Sequence, residues 1–210
     1  MTTETATYSR DGDATMRERM LAGDPYQADD PELSAMAQRA QVLAERFNAT
    51  SVAEPDRGRE LLVEMLGGLG ERSVIRAPLH VDYGVHLSLG RDCFVNYGLV
   101  ALDCGLITLG DHVQVGPGVQ LLTATHPVEP GPRRDLWEGA QPITIGDNVW
   151  LGGGVVVCPG VTIGEDTVVG AGAVVVRDLP AGVVAVGNPA RVLKRVDGTP
   201  YVAPPDAAEA

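Results

Sequence analysis

Between residues 81 and 180 an aliphatic side chain returns every six positions, with small, polar or glycine residues between. The hexads read VDYGVH at 81, LGRDCF at 89, VNYGLV at 95, ALDCGL at 101, LGDHVQ at 109, VGPGVQ at 115 and LLTATH at 121. After a gap they continue with IGDNVW at 145, LGGGVV at 151, VCPGVT at 157, IGEDTV at 163, VGAGAV at 169 and VVRDLP at 175. Two-residue slips at 87–88, 107–108 and 143–144 shift the register without ending it. A period of six fits neither a helix nor a plain amphipathic strand and predicts a parallel β-helix. Three hexads make one coil with three flat faces, and successive coils stack at roughly 4.8 Å through backbone hydrogen bonds. The aliphatic residue that opens each hexad points inward, and Gly or Asn supplies the corner turns.

Ahead of the hexads the period is that of a helix. Met16, Met20 and Leu21 form a short face that ends near Gly23 and is followed by Pro25. Asp30 is a candidate N-cap with Pro31 at the first helical position, and Leu33, Met36, Ala37, Ala40, Leu43, Ala44 and Phe47 recur at spacings of three and four. A third helix is predicted from Pro55 to Leu66, ending at Gly67-Gly68. The organisation expected is a loose tail over 1–13, a helical segment over 14–70, a solenoid over 71–180 with an ejected loop at 127–142, a cap over 181–197 and a second loose tail over 198–210. The cap, AGVVAVGNPARVLKRV, is expected to finish in a short basic helix.

Aromatics make up only 4% of the 210 residues while Gly numbers 26, which suits an aliphatic core enclosed by tight, repeated turns. A formal charge of −12 argues against nucleic acid as a partner, because phosphates call for a basic field. Cys93, Cys104 and Cys158 are odd in number and lack paired CxxC spacing, so neither a disulfide framework nor a zinc site is expected. No apolar signal region opens the chain and no stretch of about eighteen apolar residues occurs, which predicts a soluble cytoplasmic protein without a membrane partner.

The repeat breaks at TATHP, residues 123–127, and resumes at Ile143. Of the four histidines only His126 occurs at that break, beside a proline and the loop HPVEPGPRRDLWEGAQP. Histidine suits general-base work near neutral pH, and an ejected loop of this length is more often functional than idle. His80, His86 and His112 are left as structural or surface residues. Asn96 and Asp103 are polar within apolar hexads, Trp150 ends one, and Arg191, Lys194 and Arg195 gather positive charge at the end of an acidic chain, as an anion contact would require.

Together these stretches resemble the left-handed β-helix acyltransferases, and within them the maltose and galactoside O-acetyltransferase group. The resemblance covers residues 13–196 and rests on MLAGDPYQADDPEL, DYG at 82–84, FVNYGLVALD at 94–103, GPGVQLLTATHPV at 116–128, ITIGDNVWLGGGVVVCPGVTIG at 143–164 and VVAVGNPARVLKRV at 183–196. It implies a left-handed solenoid assembled as a homotrimer, with acetyl-CoA and a sugar or glycoside acceptor meeting in clefts between subunits. The loop would reach over a neighbour's site, bringing Arg133, Trp137 and Glu138 to the acceptor or the pantetheine arm. It implies acceptor contacts from Asn96, Asp103 and Asp82, with Asp29 or Asp30 as an acidic contact from the helical segment. It also implies coenzyme contacts from Trp150, Gly152, Gly153, Ala171, Val176, Arg177, Arg191 and Lys194, with an N–H near Gly152 and Gly153 as oxyanion donor.

The reaction expected is direct acetyl transfer to a hydroxyl with His126 as base, without an acyl-enzyme and without a metal. The alternatives keep the fold: an antibiotic, a lipo-oligosaccharide or a specialised metabolite as acceptor, a zinc carbonic anhydrase needing three convergent histidines, or a non-catalytic scaffold.

Overall fold

The computed structural model describes residues 8–202. Three helices precede the solenoid: α1 (Met16–Ala22), α2 (Pro31–Asn48) and α3 (Pro55–Met65). Each boundary has a local cause. Thr15 closes a capping box with Glu18, and Gly23 ends α1 in the left-handed region, where a side chain is disfavoured. The Asp30 carboxylate accepts from the N–H groups of Glu32 and Leu33 at the start of α2, with Pro31 at the first turn. The apolar faces of α2 and α3 run into the solenoid core, where Phe47, Leu61, Leu62 and Met65 join the aliphatic stack and close its first coil.

The solenoid is a parallel β-helix with three faces. Face 1 stacks Gly68–Leu69, Leu87–Leu89, Ile107–Leu109, Ile143–Ile145 and Thr162–Ile163. Face 2 stacks Val74–Ile75, Phe94–Val95, Gln114–Val115, Trp150–Leu151, Val168–Val169 and Val183–Val186, and face 3 stacks Leu79–Val81, Leu99–Leu102, Gln120–Leu122, Val156–Val157 and Val174–Val175. Side chains alternate across each strand, so the hexad-opening residues Val115, Leu121, Ile145, Leu151, Val157, Ile163 and Val169 are buried. The residues two positions before them, such as Val113, Val119, Val149 and Val155, are buried as well. Two inward residues per face fill the section, and each such Val, Leu or Ile contributes about 1.5–3 kcal/mol by leaving water.

The corners differ in chemistry. Between faces 1 and 2 the left-handed position is held by Arg72, Asp92, His112, Asn148 and Asp166 rather than by glycine. Between faces 2 and 3 it is held by Gly98, Gly118, Gly154 and Gly172. The corner from face 3 back to face 1 absorbs every irregularity of the repeat. Leu79 pairs with Leu99, and Ala101 with Leu121, at intervals two residues longer than the 18 separating Val157 from Val175. In the next coil Leu121 pairs with Val157, an interval that takes in the ejected loop. This corner is therefore widened in the early coils and opened altogether in the third.

Two expectations change. Residues 191–195 form a strand and not a basic helix: Arg191–Arg195 pairs antiparallel with Val183–Val186 and covers the last edge of face 2. Its Val and Leu are at home on a sheet, and the edge would otherwise expose unpaired N–H and C=O groups. At the other end, residues 8–13, expected to belong to a loose tail, are in contact with the body. The Tyr8 ring lies 5.9 Å from that of Trp137, and the guanidinium of Arg19 donates to the carbonyls of Ser9 and Asp11. The remainder of that tail and most of the C-terminal one lie outside the described residues.

Candidate active site

The widened corner gathers polar side chains in layers. Asp103 follows Ala101 by two residues, so strand alternation turns it inward, and it is fully buried. Its carboxylate accepts the N–H groups of Asp82 at 3.0 Å, Tyr83 at 2.8 Å and His86 at 3.1 Å, which organises the turn of the coil before it. Burial raises its pKa above the usual carboxylate range, and the N–H groups of the turn oppose that rise. Asp103 thus faces backbone rather than solvent within the chain. Asp82, half-buried just outside it, accepts the Cys104 thiol at 3.3 Å; burial raises its pKa and the thiol contact lowers it.

One coil further on, Thr123 occupies the place of Asp103 and binds the Gly105 N–H. The chain then leaves the solenoid through a hairpin, Ala124–Thr125 against Gly139–Ala140, with α4 (Pro130–Arg134) at its far end. Gln141 closes the base by donating to the Thr123 carbonyl at 2.9 Å. The pairing ends at Thr125 with Gly139, and His126 is the next residue after it. His126 is exposed and has no side-chain hydrogen bond among the described residues. Glu138 is half-buried, bridges to Tyr26 of the N-terminal segment through two backbone hydrogen bonds, and accepts the Tyr26 hydroxyl at 2.9 Å.

Within the loop, Arg133 donates to the carbonyls of Pro127 and Val128 and so pins the chain just after His126. Trp137 is only 6% exposed, packed against Tyr8 inside its own protomer. Both acidic candidates of the helical segment are already engaged: Asp29 pairs with Arg10 and Asp30 caps α2.

The corner between faces 2 and 3 carries a different set. Asn96, Gly116 and Gly152 are stacked, each N–H donating to a carbonyl of the next coil: Val115, Leu151 and Val169 respectively. The Gly152 N–H is consequently occupied. Gly153, next to it, has no carbonyl acceptor for its N–H among the described residues. A Cβ at Gly152 would meet the Ala171 nitrogen at 2.6 Å, so glycine there lets the coils close; at Gly153 the nearest atoms, of Pro117, are 3.4 Å away.

Trp150 projects outward from face 2 with 55% of its surface exposed. Pairing runs from Trp150 to Val168, from Val168 to Val184, and from Val184 to Lys194, which aligns indole and ammonium in one row across four strands. Arg191 pairs with Val186 at the far end of the same hairpin. Val176 and Arg177 follow the strand Val174–Val175 and are exposed at the same corner in the last coil, where it is no longer widened. A single chain therefore divides the sequence-predicted residues. Asp82, Asp103, His126 and Glu138, with Val176 and Arg177 below them, lie on one side of face 3, and Asn96, Gly152, Gly153 and Ala171 on the other. A cleft of about 530 Å³ under α3, lined by Phe47, Leu62, Val74 and Tyr97, contains none of them. Tyr26 and Cys104 escape sequence reasoning: nothing in their spacing signals that they meet the loop and the corner.

Among the described residues no helix is long and apolar enough to cross a membrane, and no group of three or more His, Cys, Asp or Glu is arranged to hold a metal. Residues 19–70 match the maltose acetyltransferase hexapeptide capping motif, and residues 142–177 match the six-repeat bacterial transferase hexapeptide. Nodulation protein L of Rhizobium meliloti is 46% identical over 178 residues, 85% of this chain and 97% of that protein. A maltose O-acetyltransferase of Clostridium difficile superposes with a TM-score of 0.86 at 40% identity, over 87% of this chain and 97% of the other. A galactoside acetyltransferase in complex with coenzyme A gives a TM-score of 0.85 at 36% identity, over 88% and 92%. Likeness of this degree over nearly the whole of both chains is that of homologues: the parallel β-helix described above belongs to an acetyltransferase of the hexapeptide-repeat family, in the maltose and galactoside O-acetyltransferase group.

Proposed function

We propose that the protein transfers the acetyl group of acetyl-CoA to a hydroxyl of a sugar or glycoside, with His126 as general base. The observation that carries this reading is the position of His126, an exposed imidazole directly after the paired base of the ejected loop, where the coil is interrupted. Imidazole is the side chain best matched to taking a proton near neutral pH. As the acceptor oxygen attacks the thioester carbonyl carbon, His126 takes the hydroxyl proton. Negative charge collects on the carbonyl oxygen, and the C–S bond then breaks to release coenzyme A. The unoccupied N–H of Gly153 is the better placed oxyanion donor, since that of Gly152 is already bonded to Val169.

The row from Trp150 to Lys194 suits a long cofactor with an apolar arm and an anionic end. Ala171, Val176 and Arg177 would border the arm, and Arg191 with Lys194 the phosphates. Asn96, Asp82 and Glu138 would bind acceptor hydroxyls, with Asp103 supporting Asp82 from beneath. The separation of Asn96 and Gly153 from His126 by face 3 supports a homotrimer in which one protomer's glycine corner meets its neighbour's widened corner. Acetyl-CoA is the co-substrate, and the step as written uses no metal ion.

The test is a free coenzyme A release assay over mono-, di- and aminosugars, glycosides and hydroxyl-bearing antibiotics. A sugar or glycoside is expected to give the highest kcat/KM. His126→Ala is expected to lose at least a hundredfold in turnover at unchanged acetyl-CoA affinity. Preference for a non-sugar acceptor, or full turnover by the alanine variant, overturns the corresponding part of the reading.

A further inference from the structure

Two carboxylates proposed for the acceptor side, Glu138 and Asp82, are each bound from behind by a buried neutral donor. The Tyr26 hydroxyl donates to Glu138 at 2.9 Å, and the Cys104 thiol donates to Asp82 at 3.3 Å. Tyr26 is completely buried and Cys104 is 5% exposed, so neither reaches an acceptor itself. The two pack with Tyr83, Met16, Met20 and Leu33 in an apolar cluster separate from the solenoid core. That cluster lies where the N-terminal segment meets the widened corner, and it joins three distant parts of the chain: Tyr26 from the link between α1 and α2, Asp82 and Cys104 from successive coils, and Glu138 from the loop. Burial drives both the phenol and the thiol well above their ordinary titration ranges, with neighbouring acids adding to the effect. Both therefore keep their protons, and remain donors, throughout the working pH range.

We infer that Tyr26 and Cys104 are positioning residues that fix the acceptor-facing carboxylates, so that the capping segment helps to set acceptor affinity in the reaction proposed above. Hydrogen bonds to an ionised carboxylate contribute more than neutral ones, and an unheld carboxylate on a loop must be ordered by the acceptor at a cost in affinity. The geometry assigns the cost to acceptor binding rather than to the coenzyme, because the Trp150 row lies on another face and shares none of these contacts.

The inference rests on the acetyl-transfer reading and is tested on the full-length protein with maltose, a methyl galactoside and glucosamine as probes. Tyr26→Phe removes one oxygen from a packed ring, and Cys104→Ala removes the thiol. Each is expected to raise acceptor KM roughly tenfold or more while acetyl-CoA KM stays within twofold. Cys104→Ser, which restores a donor, is expected to recover most of the loss. In a Glu138→Ala background the Tyr26→Phe effect should vanish. Should Tyr26→Phe fail to fold, the comparison of Cys104→Ala with Cys104→Ser carries the test. Acceptor KM unchanged in both donor deletions overturns the inference alone, as does an undiminished Tyr26→Phe effect without Glu138. No coenzyme A release by the wild type with any of these acceptors, or with any other in the wider panel, overturns the acetyl-transfer reading and this inference with it.

Discussion

Asp103 and His86 are joined twice: the His86 N–H donates to the Asp103 carboxylate at 3.1 Å, and the His86 ring Nδ1 lies 2.8 Å from the Asp103 carbonyl oxygen. The pair ties one coil to the next at the widened corner of the early coils. Asp103→Asn keeps the shape but turns donor hydrogens toward N–H groups that need an acceptor. It is expected to cost about 1–3 kcal/mol for each buried group left unpaired. Urea unfolding is expected to register this as a lower midpoint. A normal midpoint with a raised acceptor KM would return Asp103 to the acceptor site.

Gly152 and Gly153 are neighbours with opposite tolerances. Gly152→Ala drives a methyl group onto the backbone nitrogen of Ala171, and the coils must separate to admit it, so loss of soluble protein or a sharp fall in Tm is expected. Gly153→Pro has a precedent in the stack, since Pro117 occupies the equivalent position one coil earlier. That variant is expected to fold and to lose about 10²–10³-fold in kcat for want of one N–H, with acetyl-CoA affinity little changed. Retained kcat in a folded Gly153→Pro protein would exclude Gly153 as the oxyanion donor.

Trp150 and Lys194 share one row and contribute little to folding, both being exposed. Trp150→Ala and Lys194→Ala are each expected to weaken coenzyme A binding about tenfold, by loss of stacking in one case and of a phosphate contact in the other, without moving Tm. Calorimetric titration at two salt concentrations separates the two. The Lys194 loss is expected to shrink as salt rises and the Trp150 loss to persist.

The corner between faces 1 and 2 predicts an acid response. Arg72 holds Asp92 below the usual carboxylate range, chiefly through its side-chain hydrogen bonds, and Arg91 does the same for Asp111. A carboxylate whose folded pKa is depressed stabilises the fold above its unfolded value near 3.9, and that contribution is lost as pH falls through the folded value. Thermal unfolding from pH 6 down to pH 2.5 is expected to show this loss below about pH 4. The Arg72→Gln/Arg91→Gln double variant is expected to show a smaller loss, since the Arg91 backbone N–H still donates to Asp111.

How much of this was legible beforehand follows from period and parity. A repeat of six named one of the two inward residues of each face, and Val115, Leu151 and Val169 are buried where it put them, while Val113, Val149 and their equivalents two positions earlier are buried as well. The two-residue slips were visible as well, but a slip in a linear count does not say which corner receives the extra residues; the pairing of Leu79 with Leu99 does. The buried orientation of Asp103 was available in principle from its parity with Ala101, whereas its polarity suggested a surface role. The terminal strand was misread because Arg, Leu, Lys and Arg are good helix formers, and only the open edge of face 2 decides otherwise. His126 was marked by the interruption itself. Tyr26 was not marked by anything, because its partner lies 112 residues away.

The closed base of the loop also bears on how the protein could change. Gln141 on Thr123 and the pairing of Thr125 with Gly139 lock the hairpin before the coil resumes, so the stacked coils on either side do not depend on what lies between those two residues. The solenoid thus serves as a socket into which loops of other lengths can be grafted, exchanging acceptor recognition as a module while the stacked coils and the coenzyme track stay where they are.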